Sequence, residues 1–204
     1  MFSKIRDLIK SLDLKDIDQG RLETLDKLVQ FLQKKVDAGQ AIHLNFICTH
    51  NSRRSHLAQI WSQVFSKYYD IPLVFCYSGG TEATAIYPTI IETLEKQGFE
   101  FSIRKKKKHN PKYYICYSDK YAPIIGFSKR YDDSFNPKQD FAAIMTCNDA
   151  DKNCPIVIGA SERFTLDYED PKLSDGTEMQ EQTYLYRSLE IAKEAKYIFS
   201  NIRV

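Results

Sequence analysis

Apolar residues recur every three or four positions in several parts of the chain, and this spacing predicts amphipathic helices. The clearest case is the segment Arg21–Val36, which ends close to Gly39, and a shorter helix is expected before it. Three further helices are expected over Ser55–Tyr69, Pro88–Gln97 and Met179–Ser200. Each of these helices is expected to bury its apolar face against the rest of the protein.

Short, continuous apolar runs lie between these helices and predict buried strands. They are Ala41–Cys48, Pro72–Tyr77, Phe141–Thr146 and Phe164–Tyr168. The alternation of strands with helices favours a parallel sheet covered by helices on both faces. We therefore expect an α/β fold, a three-layer doubly wound sandwich around a central, mostly parallel sheet of four strands.

Two segments do not fit this alternation. Residues 1–40 are expected to form an N-terminal helical extension to an α/β domain that covers residues 41–204. Residues at about 99–139 are expected to form an insertion, either a hairpin or an irregular segment. The insertion contains the basic run Lys105–Lys108, which is either a solvated loop or a site of attraction for an acidic partner, anionic substrate or RNA.

Composition limits the classes of partner. The 204 residues include 29 basic and 27 acidic side chains, and the net charge of +2 is too small for a dedicated nucleic-acid or membrane-surface protein. Charged residues interrupt residues 1–16, and no later apolar run reaches the length of a membrane span. We expect a cytoplasmic protein with no membrane partner. The five cysteines are scattered and odd in number, which does not suit a secreted disulfide framework and allows reactive thiols.

The candidate chemistry begins in the stretch NFICTHNSRRSHLAQIW, Asn45–Trp61, where Cys48 ends a predicted strand and a helix begins near Arg54. The intervening residues must form a tight loop whose backbone N–H groups converge beside the positive end of the helix dipole. This oxyanion-binding loop comprises Thr49, His50, Asn51, Ser52, Arg53 and Arg54. Such a loop binds a tetrahedral dianion and favours thiolate over thiol, so Cys48 is the predicted nucleophile.

Three neighbours of Cys48 have predicted roles in this loop. Arg54 can hold two oxygens of the anion with its planar guanidinium group. Ser55 can donate its hydroxyl to the thiolate and help it to leave. Asn51 tolerates a positive φ and can form the bend. Taken alone, the spacing also allows a simpler interpretation, in which Cys48 is a buried strand residue and the arginines begin a solvated helix.

The segment FICTHNSRRSHLAQIW resembles the anion-binding loop of the low-molecular-weight protein tyrosine phosphatases and of the arsenate reductases that share their fold. The sequence YSGGTEAT at Tyr77–Thr84 resembles their second strand and turn. MTCNDADKNCP at Met145–Pro155 resembles the thioredoxin-coupled arsenate reductases, in which two cysteines flank such a loop. YEDP at Tyr168–Pro171 resembles the aspartate-proline pair that carries the general acid, here Asp170. The resemblance covers residues at about 41–97 and 140–201.

This resemblance implies a thiol-dependent reduction of arsenate to arsenite. Cys48 attacks arsenic while Asp170 supplies a proton to the departing oxygen. Cys147 then attacks the sulfur of Cys48 and expels arsenite, and Cys154 attacks Cys147 in turn. An external reductant such as thioredoxin resets the enzyme, with no bound cofactor. The two successive pairings imply that the segment Asp149–Asn153 moves.

Three alternatives remain open from the residues. The same loop serves a protein tyrosine phosphatase that hydrolyses phosphomonoesters through a cysteinyl phosphate. A non-catalytic module that binds an oxyanion or a protein partner is a third possibility. In a simpler interpretation of the cysteine pair, Cys147 is one more apolar residue at a strand end and Cys154 is incidental. Zinc is a further possibility for any cysteine pair, but no second pair or nearby histidine completes four ligands.

The sequence departs from the family at several positions. Family loops commonly have Gly where this chain has His50, and often Cys where it has Arg53. Some related arsenate reductases hold potassium with a glutamate at the position of Gln59, so no bound metal is expected here. Four tyrosines of the insertion are either core residues or a platform for a tyrosine substrate: Tyr113, Tyr114, Tyr117 and Tyr121.

Overall fold

The computed structural model describes residues 1–105, 109–153 and 156–204. Most of the basic run Lys105–Lys108 and the predicted relay residue Cys154 therefore lie outside the described residues. The helices are α1 (Ser3–Ser11), α2 (Gln19–Asp37), α3 (Arg54–Tyr68), α4 (Pro88–Lys96), α5 (Asn148–Asn153) and α6 (Gln180–Ser200), with a short 3₁₀ helix at Pro171–Ser174. The strands are β1 (Ile42–Cys48), β2 (Val74–Gly80), β3 (Glu100–Lys105), β4 (Lys112–Cys116), β5 (Ile124–Gly126), β6 (Phe141–Met145) and β7 (Ala160–Thr165). Across the described ranges, no helix combines the length and the apolarity needed to cross a bilayer.

The central sheet has the order β2-β1-β6-β7, and all of its pairings are parallel. This confirms the predicted α/β fold with four strands, and the sheet is wholly rather than mostly parallel. The register sets Ile47 beside Gly79 on one side and beside Met145 on the other. The carboxyl ends of three strands therefore meet at one edge of the sheet, where ligands of open α/β folds bind.

The two faces of the sheet belong to two apolar clusters. In β6, Ala142 and Ile144 join the larger cluster, whereas Phe141, Ala143 and Met145 join the smaller one. Successive strand residues point to opposite faces, which explains why this strand is apolar throughout. The larger cluster contains buried residues of α1, α2, α3, α4 and α6, while the smaller one contains Ala150 of α5. The two faces are therefore covered unequally.

The helices of the N-terminal extension share this larger core. Ile5 and Ile9 of α1 are fully buried, as is Leu25 of α2. The N-cap residue of α2 is Asp18, whose side chain accepts hydrogen bonds from the backbone N–H groups of Gly20 (2.9 Å) and Arg21 (3.3 Å). This N-cap satisfies two donors that have no partner inside the helix.

Two elements differ from the sequence-based prediction. The fourth strand is β7, which begins four residues before the predicted strand Phe164–Tyr168. As an edge strand, β7 has the exposed polar residues Ser161 and Glu162, so its first half contains no apolar run that would predict a strand. The segment Asp149–Asn153, predicted to be a loop, lies within the short helix α5.

The insertion contains a second, antiparallel sheet with the order β3-β4-β5. Tyr117 is buried and stacks on Tyr121, with 5.9 Å between the ring centroids. Tyr113 packs edge-on against Phe101, and these rings all pack in or against the larger cluster. Three of the four tyrosines therefore contribute to packing of the core.

The shared core predicts that α1 unfolds together with the α/β domain. Replacing Ile9 by Ala removes fully buried methyl and methylene groups and should lower the free energy of unfolding by about 3 kcal/mol. Trp61 is the only tryptophan and lies buried in α3, so its fluorescence reports the α/β domain. We expect urea transitions followed by Trp61 fluorescence and by far-UV circular dichroism to coincide and to shift together.

The matched control is Ile103→Ala. Since Ile103 of β3 is 43% exposed, this substitution should change the free energy of unfolding little. Two separate transitions, with Trp61 fluorescence unaffected by Ile9→Ala, would show that the extension is an independent unit.

Candidate active site

The loop between β1 and α3 lies at the sheet edge where three strands end. It starts at Cys48, the last residue of β1, and ends at Arg54, the first residue of α3. A cleft of about 10 Å³ opens between the loop and Asp170. Its lining residues are Cys48, His50, Ser52, Arg53, Arg54 and Asp170. The structure thus brings the predicted nucleophile, arginine and acid together.

The backbone carbonyls of this loop all have hydrogen-bond partners outside the cleft. The carbonyl oxygen of Cys48 accepts from Thr81 N, that of Thr49 from Glu82 N and Thr81 Oγ1, and that of His50 from Thr84 Oγ1 and Ser128 Oγ. The carbonyl oxygen of Asn51 accepts from His56 Nε2, that of Ser52 from Tyr87 N, and that of Arg53 from the backbone N–H groups of His56 and Leu57. Within the described ranges, the amides of residues 49–53 donate to no protein acceptor. These N–H groups are therefore available to an oxyanion at the start of a helix.

Asn51 holds the bend of the loop. Its φ is 44°, in the left-handed region, where Asn is one of the few residues that fit. Its Oδ1 accepts a hydrogen bond from the backbone N–H of Lys129 (2.9 Å), and its Nδ2 donates to Ser55 Oγ (2.9 Å). Asn51 thereby ties the loop both to the insertion and to α3.

The contact with Asn51 also orients the hydroxyl of Ser55. Ser55 Oγ lies 3.1 Å from the Cys48 Sγ atom. A hydroxyl has one hydrogen, and because Ser55 Oγ already accepts from Asn51, that hydrogen can be directed to the sulfur. A sulfur that accepts such a hydrogen bond is stabilised as a thiolate, which is the nucleophilic form.

The buried side chain of His56 contacts the loop at the carbonyl oxygen of Asn51. His56 Nε2 lies 2.9 Å from the carbonyl oxygen of Asn51, and Nδ1 lies 3.3 Å from Ser78 Oγ. Complete burial, assisted by the positive charge of Lys129, lowers the pKa of His56 to about 3. The ring is therefore neutral at physiological pH, and because a carbonyl can only accept, Nε2 carries the hydrogen that is donated to Asn51.

Arg54 contacts the segment that carries the predicted general acid. Its Nη1 donates to the carbonyl oxygen of Tyr168 (2.9 Å), and its Nη2 donates to Asp170 Oδ2 (2.5 Å). Asp170 also caps the 3₁₀ helix by accepting a hydrogen bond from the backbone N–H of Lys172 (3.1 Å). Asp170 therefore occupies a donor of the Arg54 guanidinium for which an oxyanion in the adjoining cleft can compete.

Arg53 fastens the other side of the loop. Its Nη2 donates to Asp175 Oδ2 (2.6 Å), its Nε donates to the hydroxyl of Tyr184 (2.6 Å), and its guanidinium carbon lies 4.0 Å from the ring centroid of Tyr87. These partners belong to the end of the acid-bearing segment, to α6 and to the residue before α4. Arg53, predicted only as a loop residue, therefore connects the loop to three other parts of the fold.

The second cysteine lies beside the loop. Cys147 follows β6 and is buried, and the preceding Thr146 donates through its backbone N–H (2.7 Å) and its Oγ1 (3.0 Å) to the carbonyl oxygen of Ile47. The Sγ atom of Cys147 lies 3.5 Å from Thr49 Oγ1 and 3.4 Å from the backbone nitrogen of Ala150. Cys48 and Cys147 are both free thiols at the ends of adjacent parallel strands.

Sequence reasoning did not identify the residues that support the loop from a distance. His56 has no local signal beyond its place in an amphipathic helix. Ser128 and Lys129 belong to the insertion, which the resemblance leaves out, and they are 78 positions from their loop partners. Lys129 is buried, and this burial lowers the pKa of its ammonium group to about 7.

The buried histidine predicts an acid-sensitive stability. The pKa of His56 is about 3 in the folded protein and near 6.5 in the unfolded chain, so above pH 6.5 the ring is neutral in both states. As the pH falls below 6.5, the unfolded chain binds a proton that the folded protein does not, and the free energy of unfolding decreases. Between pH 7 and pH 5 this single group should cost about 2 kcal/mol. Urea unfolding of wild type and His56→Gln at both pH values measures the difference.

The variant His56→Gln should be less stable at pH 7 but should lose less stability on acidification than wild type. The control His109→Gln changes an exposed ring and should keep the wild-type pH dependence. Equal losses in wild type and His56→Gln would contradict the assignment of a neutral buried imidazole.

Comparison with known proteins supports the geometric description. No model of a known protein family matches the sequence. The chain is 28% identical over 136 residues to arsenate reductase 2 of Staphylococcus epidermidis, covering 66% of this chain and 82% of that protein. It is 25% identical over 139 residues to the arsenate reductase of Oceanobacillus iheyensis, covering 68% of this chain and 80% of that protein.

Solved structures share the fold. A low-molecular-weight phosphotyrosine phosphatase from Vibrio cholerae superposes with a TM-score of 0.50 at 13% identity, over 76% of this chain and 92% of that chain. A low-molecular-weight protein tyrosine phosphatase from T. tengcongensis does so with a TM-score of 0.50 at 17% identity, over 79% of this chain and 97% of that chain. The chain therefore has the fold of the low-molecular-weight protein tyrosine phosphatases, and it is similar in sequence to curated arsenate reductases.

Proposed function

We propose that this enzyme reduces arsenate to arsenite, with Cys48 as the nucleophile and Cys147 as the second thiol. The observation that carries the proposal is the position of Cys147, whose Sγ atom lies 3.5 Å from Thr49 in the oxyanion-binding loop. Cys147 lies two residues beyond Met145, the partner of Ile47 in the sheet, and it belongs to the same apolar cluster as Cys48. The similarity to curated arsenate reductases supports the same assignment.

The first step forms a covalent adduct. Arsenate binds to the amides of residues 49–53 and to the guanidinium of Arg54, which matches a tetrahedral oxyanion. The thiolate of Cys48 attacks arsenic, and a sulfur–arsenic bond forms as an arsenic–oxygen bond breaks. Protonated Asp170 donates its proton to the departing oxygen, which leaves as water. Arsenic stays pentavalent in this step.

The second step transfers two electrons. The thiolate of Cys147 attacks the Sγ atom of Cys48, a disulfide bond forms, and the sulfur–arsenic bond breaks with its electron pair going to arsenic. Arsenic becomes trivalent and leaves as arsenite, and the two thiols are oxidised to one disulfide. Ser55, which contacts Cys48 Sγ, stabilises this sulfur as the attacking thiolate of the first step and as the thiolate that is released during regeneration.

Regeneration requires Cys154 and an external dithiol. Cys154 attacks the sulfur of Cys147, which frees Cys48 and leaves a Cys147–Cys154 disulfide for a thioredoxin-like reductant. Disulfide geometry restricts the Cα separation to about 4.4–6.8 Å, so the two successive pairings imply that the segment Asp149–Asn153 moves. In the starting structure, α5 is held by Asp151, whose Oδ1 accepts from Arg163 Nη2 (2.5 Å) and Thr165 Oγ1 (2.8 Å). The cycle also requires a reducing compartment, which agrees with the predicted cytoplasmic location.

A phosphatase is the second candidate, because the solved structures that share the fold include phosphatases. The loop amides, Arg54 and Asp170 serve the hydrolysis of a phosphomonoester equally well, with water instead of Cys147 attacking the covalent intermediate. The requirement for Cys147 therefore distinguishes the two reactions.

Cysteine variants test the proposal. Wild type, Cys48→Ser and Cys147→Ser are compared for thioredoxin-driven arsenate reduction and for aryl phosphate hydrolysis. We expect both variants to lose reduction by at least about 10³-fold, because each removes a bond-forming sulfur. Cys147→Ser should keep any hydrolysis that wild type shows, whereas Cys48→Ser should lose it.

The control variant is Cys116→Ser, which changes a half-buried thiol of β4 and should retain reduction within about twofold. Retention of arsenate reduction by Cys147→Ser would refute the relay, and hydrolysis without reduction in wild type would establish the phosphatase. Wild-type levels of both activities in Cys48→Ser would exclude catalysis by this loop.

A further inference from the structure

We infer that Arg21 of the N-terminal extension is a positioning residue for the general acid. It acts through the segment that carries the acid, Leu166–Asp175, which we call the acid segment. This inference rests on the proposed role of Asp170. It assigns a catalytic purpose to an extension that lies outside the family resemblance.

Arg21 joins three parts of the fold. Its Nε donates to Glu194 Oε1 (2.7 Å) and its Nη2 donates to Glu194 Oε2 (2.9 Å), which forms a bidentate pair between α2 and α6. Nη2 also donates to the carbonyl oxygen of Asp167 (3.2 Å) in the acid segment. Glu194 is only 6% exposed, so this ion pair fixes the guanidinium in one position.

Tyr168 is held from two sides. The guanidinium carbon of Arg21 lies 4.9 Å from the centroid of its ring, and its hydroxyl donates to Glu194 Oε2 (2.7 Å). Its carbonyl oxygen accepts the hydrogen bond from Arg54 Nη1 (2.9 Å). A single residue thus lies between the arginine of the extension and the arginine of the active site, two positions before Asp170.

The role of Arg21 becomes important when the oxyanion binds. An oxyanion that binds the Arg54 guanidinium competes with Asp170 for Nη2, and displacement of the carboxylate removes the direct contact of the acid with the loop. Several contacts of the acid segment do not depend on Arg54. Among them, Arg21 holds Asp167 and Tyr168, and Arg53 holds Asp175. Arg187 also contacts Glu169, and the backbone N–H groups of Leu166 and Tyr168 donate to carbonyl oxygens of Met145 and Thr146. A general acid acts only within hydrogen-bond reach of the leaving atom, so the supports on both sides of Asp170 determine its efficiency.

The central experiment compares leaving groups. Arg21→Gln removes the bidentate pair and the contact with Asp167, and Arg21→Lys keeps the charge without the planar fork. The catalytic constant for phenyl phosphate, whose leaving group needs a proton, should fall about tenfold or more in both variants. The leaving group of 4-nitrophenyl phosphate does not need a proton, so the catalytic constant for this substrate should fall less than about threefold. KM should change little for both substrates.

The matched control is Lys35→Gln, which removes another cation of α2 whose partner, Asp140, lies outside the acid segment. It should leave both substrates unaffected. Equal losses for the two substrates in Arg21→Gln would indicate a general structural defect and would overturn the inference. The double variant Arg21→Gln/Glu194→Gln removes the unpaired buried charge but still lacks the guanidinium. Selective loss for phenyl phosphate in this variant supports positioning, and full recovery would overturn it.

Hydrogen exchange of residues 166–175 tests the same inference without turnover, and so separately from the proposed function. Arg21→Gln should exchange these amides several-fold faster than wild type and Lys35→Gln. Unchanged exchange would refute the positioning role. If wild type shows neither arsenate reduction nor phosphate hydrolysis that depends on Cys48, the proposed function fails. If wild type hydrolyses neither aryl phosphate, hydrogen exchange alone decides whether Arg21 holds the acid segment.

Discussion

The site depends on one constraint, which is that every carbonyl of the loop from Cys48 to Arg53 is hydrogen-bonded outside the cleft. A peptide chain that turns its carbonyls outward leaves its amides free to bind a negative charge. The turn requires a left-handed residue, and Asn51 supplies both that conformation and two side-chain contacts that hold it. The affinity for an oxyanion is therefore built into the backbone.

The two segments that break the strand and helix alternation are the ones that stabilise this arrangement. The insertion contributes Ser128 and Lys129, which bond to His50 and Asn51 from outside the parallel sheet. The N-terminal extension contributes Arg21, which donates to the carbonyl oxygen of Asp167 in the acid segment. The α/β core positions the predicted nucleophile, and these additions contact the groups that surround it.

The local parts of the fold and site were predictable from the sequence, whereas the distant contacts were not. The spacing from Cys48 to Arg54 indicates a strand, a turn and a helix, because all three are encoded within a few neighbouring residues. The edge strand β7 was misplaced since its exposed side chains give no apolar run. The neutral state of His56 could not be predicted, because it results from burial and from the charge of Lys129, which only the tertiary structure brings close.

Arg54 has to serve two partners, and this competition explains why the acid segment needs other supports. In the structure, its guanidinium binds Asp170 and the carbonyl oxygen of Tyr168. In the proposed reaction, an oxyanion can replace the carboxylate and leave the contact with Tyr168 intact, since Nη1 and Nη2 are separate donors. The arginine would then remain attached to the acid segment while its other donors bind the substrate. The proposal requires Asp170 to release the arginine and remain beside the reacting oxygen, and the contacts of Arg53 and Arg21 with the two ends of that segment meet this requirement.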